Sequence, residues 1–176
     1  TLTSKVGGKR AGIVGLGRIG KGIAHRLEAF GMTIGYTGRN PQSVPYAFHA
    51  SINELAAWSD FLIVACPGGA GTRHLINANV LQALGNKGTL INIARGSIVD
   101  EQALIAALRD GVIKCAGLDV FENEPTVPAE LRAMEHVTLL PHVGSATQET
   151  RGEMARLVIE NLAAHFAGQP LVTPVI

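Results

Sequence analysis

Short apolar runs alternate with segments of helical periodicity along nearly the whole chain. The first run ends at Val14. Beyond it Ile23, Leu27 and Phe30 share one face and predict a helix from about Arg18 to Phe30, closed by Gly31. A second strand is expected over Met32 to Tyr36, a turn over Asn40 to Pro45, a short extended piece at Tyr46 to Phe48 and a helix near Ile52 to Trp58. Three buried strands follow, Phe61 to Ala65, Thr89 to Ile93 and Lys114 to Leu118, with helices near Asn77 to Leu84 and Glu101 to Leu108. A further short strand is expected at Val137 to Leu140. The last helix, about Gln148 to Phe166, carries Met154, Leu157, Val158, Leu162 and Phe166 at helical spacing, and packing against the sheet accounts for that stripe. Near-continuous apolar strands alternating with helices predict an α/β fold, a doubly wound parallel sheet covered on both faces.

The first strand opens into Gly15-Leu16-Gly17-Arg18-Ile19-Gly20 and then a helix, the G-x-G-x-x-G context of a Rossmann-type dinucleotide-binding turn. Gly15 permits the tight turn, Gly17 lets backbone approach a pyrophosphate, and Gly20 lets helix and strand pack closely. N–H groups at the helix start face the anion. In NAD-binding versions an acidic residue ends the second strand and bonds the ribose hydroxyls. Here that strand ends Tyr36-Thr37-Gly38-Arg39-Asn40. A carboxylate would repel a 2′-phosphate, whereas Arg39 can pair with one bidentately, so NADP(H) is expected in preference to NAD(H), with NAD(H) still possible. The competing reading keeps Arg39 as a solvated loop arginine and treats the missing acid as relaxed selectivity.

Composition narrows the function. The 176 residues, 47% hydrophobic, are long enough for a real core and for a single dinucleotide-binding domain over 1–176. A formal net charge of +1, spread along the chain, argues against nucleic acid as the main partner. No run has the length of a membrane span, and Thr1 to Lys5 begin nothing like a secretory signal, so a soluble, cytoplasmic protein is expected. Cys66 and Cys115 read as buried thiols rather than a disulfide. No cluster has metal-ligand spacing. The absent initiator Met and the early first strand suggest a piece of a longer chain.

Three polar stretches fall where loops leave the carboxyl ends of strands, which is where open α/β sheets bind ligands. They are Ile91 to Asp100, with Arg95 emerging from a buried strand, Gly117 to Pro125, and Leu139 to Ala146. An arginine there suits an anionic group, and a carboxylate and a histidine converging on a nicotinamide would form an acid–base pair. The other histidines, His25, His49, His74, His136 and His165, have no such partners in sequence and read as surface or packing residues.

With these blocks in order, GIVGLGRIG, INIARGSIVDEQAL, GLDVFENEP and LLPHVGSAT, the chain resembles the D-isomer-specific 2-hydroxyacid dehydrogenase family from Gly12 to about Val172. Within it the Tyr-x-x-Arg strand end is similar to that of the hydroxypyruvate/glyoxylate and hydroxyphenylpyruvate reductases. The resemblance implies that Arg95 binds the substrate carboxylate and carbonyl, that Glu124 partners the catalytic histidine, and that His142 exchanges a proton with the substrate oxygen. It implies Asp119 beside the nicotinamide carboxamide, Pro67 lining the adenine site, and cofactor contacts from Cys66, Thr72, Ile93, Ala94 and Gly144. The stretch Cys66 to Thr72 lacks the first Thr of the family's Pro-x-T-x-x-T segment. The family also implies a homodimer, a D-2-hydroxy acid product from a small 2-keto acid, and a separate substrate domain that this chain does not contain, so the 176 residues alone are expected to bind NADP(H) but turn over poorly. Two alternatives stay open, a dinucleotide-sensing corepressor of the same fold and a phosphoglycerate-type dehydrogenase. No obvious exposed apolar stripe marks a partner surface for the first.

Overall fold

A computed structural model describes residues 5–174. Residues 1–4, where no secretory leader is expected, and 175–176 lie outside the described residues. The chain divides into two compact units, Thr1–Pro141 and His142–Ile176.

The first unit is built on a seven-stranded sheet, every pairing parallel. Its strands are β1 (Arg10–Val14), β2 (Thr33–Thr37), β3 (Ala47–Phe48), β4 (Phe61–Val64), β5 (Thr89–Asn92), β6 (Cys115–Leu118) and β7 (Val137–Leu139). Its helices are α1 (Arg18–Ala29), α2 (Ile52–Trp58), α3 (Ala78–Leu84), α4 (Glu101–Arg109) and α5 (Ala129–Ala133). The spatial order β3-β2-β1-β4-β5-β6-β7 reverses direction between β1 and β4. Connections from those two strands therefore leave toward opposite faces and open a crevice at their carboxyl ends. The doubly wound architecture is as the apolar runs predict, with the short extended piece at Tyr46 to Phe48 forming the edge strand β3. Helix α5 was not expected, because its five residues are too few to show a period.

Period-two alternation splits the core between the faces. Ile13, Ile34, Tyr36 and Ile63 pack with Ala24 of α1 in one cluster, while Val14, Leu62, Val64 and Leu90 pack with Leu55, Leu81 and Leu104 of α2, α3 and α4 in the other. Full coverage of both faces does not extend across the sheet. In β5 and β6 only alternate residues are buried, leaving Thr89, Ile91, Cys115 and Gly117 half-exposed. Continuous apolar runs thus overstate the burial of those two strands, since Thr and Gly positions tolerate partial solvent contact. Cys115 and Cys66 are correspondingly half-buried free thiols, not fully buried ones.

Local signals set the element starts. Ser51 and Glu54 form a reciprocal capping box on α2, Asn77 caps α3, and Asp100 caps α4 by accepting the Ala103 N–H.

The second unit carries α6 (Gln148–Phe166), capped by Thr147, whose hydroxyl accepts the Thr150 N–H. None of its residues is buried, and Met154, Val158, Ile159, Leu162 and Phe166 are exposed, Phe166 by 83%. This corrects two expectations, that the stripe is buried and that no exposed apolar stripe exists. Spacing at i, i+4 establishes that a helix has an apolar face; it carries no information about what covers that face. Among the described residues no helix is long and apolar enough to cross a membrane.

Candidate active site

The glycine-rich turn between β1 and α1 divides its labour by geometry. Gly15 has φ +95°, and a Cβ there would lie 2.6 Å from the Cys66 Cα, so both conformation and space demand glycine. Gly17 is the N-cap of α1 at φ −80° and ψ −163°, where a side chain would meet no protein atom within 4 Å. At Gly20 a Cβ would lie 2.2 Å from the Gly15 carbonyl oxygen. Close helix–turn packing is therefore Gly20's role, and open approach is Gly17's. Among the described residues no side chain caps α1, no acidic residue occupies its first turn, and Arg18 and Ile19 are exposed there. Free N–H groups, positive helix end and clear space together fit a dinucleotide pyrophosphate.

A cavity of about 900 Å³ runs from this turn along the carboxyl end of β2. Thr37, Gly38, Arg39 and Asn40 line it on one side, and Cys66, Pro67 and Thr72 on the other. Thr37 is buried and its carbonyl accepts the Gly15 N–H at 3.0 Å, while Gly38, Arg39 and Asn40 are exposed. Among the described residues no carboxylate lines this end of the cavity. Burial pushes the Cys66 thiol up, so it stays protonated at neutral pH and acts as an apolar wall.

A second cavity of about 590 Å³ adjoins the first, sharing Cys66 and Pro67 and adding Ile19, Ile93, Ala94 and Arg95. Arg95 is exposed, and its stem rests on Gly68, where a Cβ would sit 2.8 Å from the Arg95 Cγ. Thr72 stands in a 3-10 turn (Ala70–Thr72), with its hydroxyl 2.9 Å from the Pro67 carbonyl oxygen, and so closes the loop that carries Pro67. The departure from the family's Pro-x-T-x-x-T pattern thus has a local counterpart. Glycine at 68 admits the arginine stem, and Thr72 bonds backbone rather than a second threonine.

Asn92, 1% exposed at the end of β5, holds the Arg95 loop from both directions. Its Oδ1 accepts the Ala94 N–H at 3.1 Å and its Nδ2 donates to the Arg95 carbonyl at 3.0 Å. Its own carbonyl accepts the Asp119 N–H at 3.0 Å, joining this loop to the next. Asp119 is buried, and Glu124 accepts the Phe121 N–H at 3.0 Å. A Cβ on Gly96 would lie 1.9 Å from the Phe121 carbonyl carbon, so the loops after β5 and β6 touch backbone to backbone. Sequence reading missed Asn92 and Gly96, although an asparagine ending an apolar strand three residues before an arginine is a signal that was available.

His74 corrects another expectation. Rather than lacking partners, it has φ +48° and places Nε2 2.9 Å from Glu122, which Arg73 also contacts at 2.9 Å. The pairing joins residues forty-eight positions apart and has no local sequence signature. Glu122 donates its N–H to Glu101 at 3.2 Å. Burial first, and then the neighbouring Glu122 carboxylate, push the Glu101 carboxyl above the ordinary range.

Thus the first unit brings the glycine turn, the β2 end, the Cys66–Thr72 loop and Arg95 onto two adjoining cavities, with Asp119 and Glu124 on the neighbouring loop. His142 and Gly144 belong to the second unit, where His142 is exposed with φ +57°.

A parallel sheet in this order, with a glycine turn at its reversal point, defines a doubly wound dinucleotide-binding domain. More narrowly, the family model for the NAD binding domain of D-isomer specific 2-hydroxyacid dehydrogenases matches residues 1–144, and the chain belongs to that family. It is 55% identical over 176 residues to hydroxyphenylpyruvate reductase of Plectranthus scutellarioides, covering 99% of this chain and 56% of that protein. It is 54% identical to a glyoxylate/hydroxypyruvate reductase of Arabidopsis thaliana over the same shares. Among solved structures, the NADPH-dependent glyoxylate/hydroxypyruvate reductase of Sinorhizobium meliloti, in complex with NADP and malonate, superimposes with a TM-score of 0.94 at 51% identity, covering 96% of this chain and 53% of that one. The chain spans about half the length of the curated relatives it matches.

Proposed function

We propose that this chain is the cofactor-binding part of an NADP(H)-dependent reductase that converts a small 2-keto acid, namely hydroxypyruvate, glyoxylate or hydroxyphenylpyruvate, to the D-2-hydroxy acid. The observation that carries the reading is a crevice with Arg39 and no carboxylate at one end and Arg95 at the other. The Sinorhizobium meliloti relative, NADPH-dependent and solved with NADP, supports the cofactor assignment. The names of the plant relatives support the substrate class.

Arg39 pairs with the 2′-phosphate, the α1 N-terminus at Gly17 and Arg18 receives the pyrophosphate, and Pro67 and Thr72 bound the adenine side. Ile93, Ala94 and Asp119 flank the nicotinamide, which when bound supplies the hydride for the keto carbon. Arg95 holds the substrate carboxylate in its fork and presents one face of the ketone, which fixes the D configuration. His142 gives a proton to the substrate oxygen as negative charge grows there, and regains one from solvent. On the family resemblance, Glu124 serves as the carboxylate of the acid–base pair. Residues 1–176 serve as one dinucleotide-binding domain, and the remaining half of the relatives' length corresponds to the substrate domain. A homodimer and a cytoplasmic location belong to this reading on the family resemblance alone.

The test follows NADPH absorbance in the full-length protein with each of the three keto acids, with NADH in parallel. Rapid NADPH-dependent turnover, abolished by His142→Ala, is expected. Tight NADPH binding without turnover of any of the three would overturn the substrate assignment.

A further inference from the structure

Arg39 is exposed on a loop of small residues, and an arginine so placed gains selectivity only if something holds that loop against the glycine turn. The structure supplies a tether. Tyr36, 1% exposed in β2, packs its ring 5.4 Å from that of Phe48 and places its hydroxyl under the returning loop. There Oη accepts the Gln42 N–H at 2.7 Å and lies 3.4 Å from the Gln42 carbonyl oxygen. Gln42 then extends its side chain across the crevice mouth, where Nε2 donates to the Leu16 carbonyl at 3.0 Å. Leu16 lies between the first two glycines of the turn, and Gly15 is already joined to Thr37 by its N–H. The loop 37–42 is thus pinned at both ends, to the turn at Thr37 and to Tyr36 and Leu16 at Gln42, with Arg39 and Asn40 in the span between.

We infer that Gln42 is a specificity-determining positioning residue, which sets the preference for a 2′-phosphorylated dinucleotide by holding the Arg39 loop in register with the glycine turn. The inference rests on the NADP(H) reading above and adds the part that selects. A dinucleotide lacking the 2′-phosphate makes no use of Arg39, so loosening this span penalises NADPH and leaves NADH nearly untouched.

The test is cofactor binding, read by the fluorescence of NADPH and NADH titrated into the full-length protein, with thermal unfolding alongside. Gln42→Met keeps the length and removes the donor; Tyr36→Phe removes the anchor beneath it. One side chain to backbone hydrogen bond at a solvent-exposed position corresponds to a loss of roughly three- to tenfold. Gln42→Met is therefore expected to weaken NADPH binding by about that factor, with little change for NADH and a melting temperature lower by no more than a few degrees. In an Arg39→Ala background the same substitution should no longer alter the NADPH/NADH ratio, because the group being positioned is gone. Equal losses for both cofactors, or an undiminished effect of Gln42→Met without Arg39, would overturn the inference while leaving the cofactor reading intact. A wild-type protein that binds NADH as tightly as NADPH overturns both.

Discussion

Substituting alanine for each of two glycines in one turn separates packing from binding. At Gly20 an added Cβ lies 2.2 Å from the Gly15 carbonyl oxygen and 3.3 Å from the Ile13 Cγ2, against an ordinary contact of 3.4–4 Å. The oxygen is backbone and cannot rotate away, so α1 must shift by roughly an ångström. Overpacking of this kind costs about 1–3 kcal/mol, and the better helix propensity of alanine returns ~1 kcal/mol. A net loss of up to ~2 kcal/mol corresponds to a melting temperature lower by up to roughly 8 °C for a domain of this size. At Gly17 the added Cβ meets nothing within 4 Å at a φ of −80° that alanine adopts freely. Its poorer N-cap behaviour and the reduced entropy of the unfolded chain nearly cancel, so stability should stay within ~1 kcal/mol of wild type. That Cβ points into the space assigned to the pyrophosphate. Displacing one backbone donor from a charged phosphate costs about 1.5–3 kcal/mol, or roughly 10- to 150-fold in affinity. Thermal unfolding and NADPH titration on both variants decide the matter. If Gly17→Ala melts as low as Gly20→Ala, or binds NADPH as wild type does, the division of roles drawn from the turn is wrong.

Other consequences are open to direct measurement. Gly96→Ala sets a Cβ 1.9 Å from the Phe121 backbone and should cost about 3 kcal/mol in denaturant unfolding, whereas Gly71→Ala, with nothing within 4 Å, should be nearly neutral; comparable behaviour of the two would remove the claimed contact between loops. Asn92→Leu keeps the branched shape but leaves the Ala94 N–H without its partner and removes one of two donors to the Arg95 carbonyl; the expected result is a higher KM for the keto acid with a smaller change in NADPH affinity, and an unchanged KM would sever Asn92 from Arg95. The Glu101 carboxyl is held above its unfolded value by burial and by Glu122, so the folded state binds the extra proton between the two values and stability falls as pH rises through that window. Glu101→Gln keeps an acceptor for the Glu122 N–H and removes the penalty, so it should stabilise the protein at neutral pH and flatten that part of the stability–pH curve; a steeper curve would reverse the assigned sign.

What the sequence disclosed follows from the range of each signal. The glycine turn, the β2 end and the Arg95 loop are each written within about ten consecutive residues, and each lies where those residues placed it. Ser51 and Glu54, Asn77 and Asp100 start helices through bonds to residues two or three positions away, so their caps too are local. The Glu122 cluster depends instead on loops after three different strands, brought together only when β4, β5 and β6 stand side by side. No window of sequence contains that contact, and His74 therefore looked isolated. Gly96 shows the same limit from the other direction. Its φ is ordinary, nothing in the Ala94 to Ser97 stretch demands glycine, and the need arises from the Phe121 backbone lying against it. The stripe on α6 is the complementary failure. Its period is strong and local, and yet period alone does not name the surface it meets, so a correctly placed helix carried a mistaken inference about burial. For an open α/β sheet this asymmetry has a functional consequence. Elements proposed to hold the cofactor sit on short glycine and strand-end motifs that can be read directly, while the groups that hold one loop of the candidate site against another are set by strand order and become visible only in the folded chain.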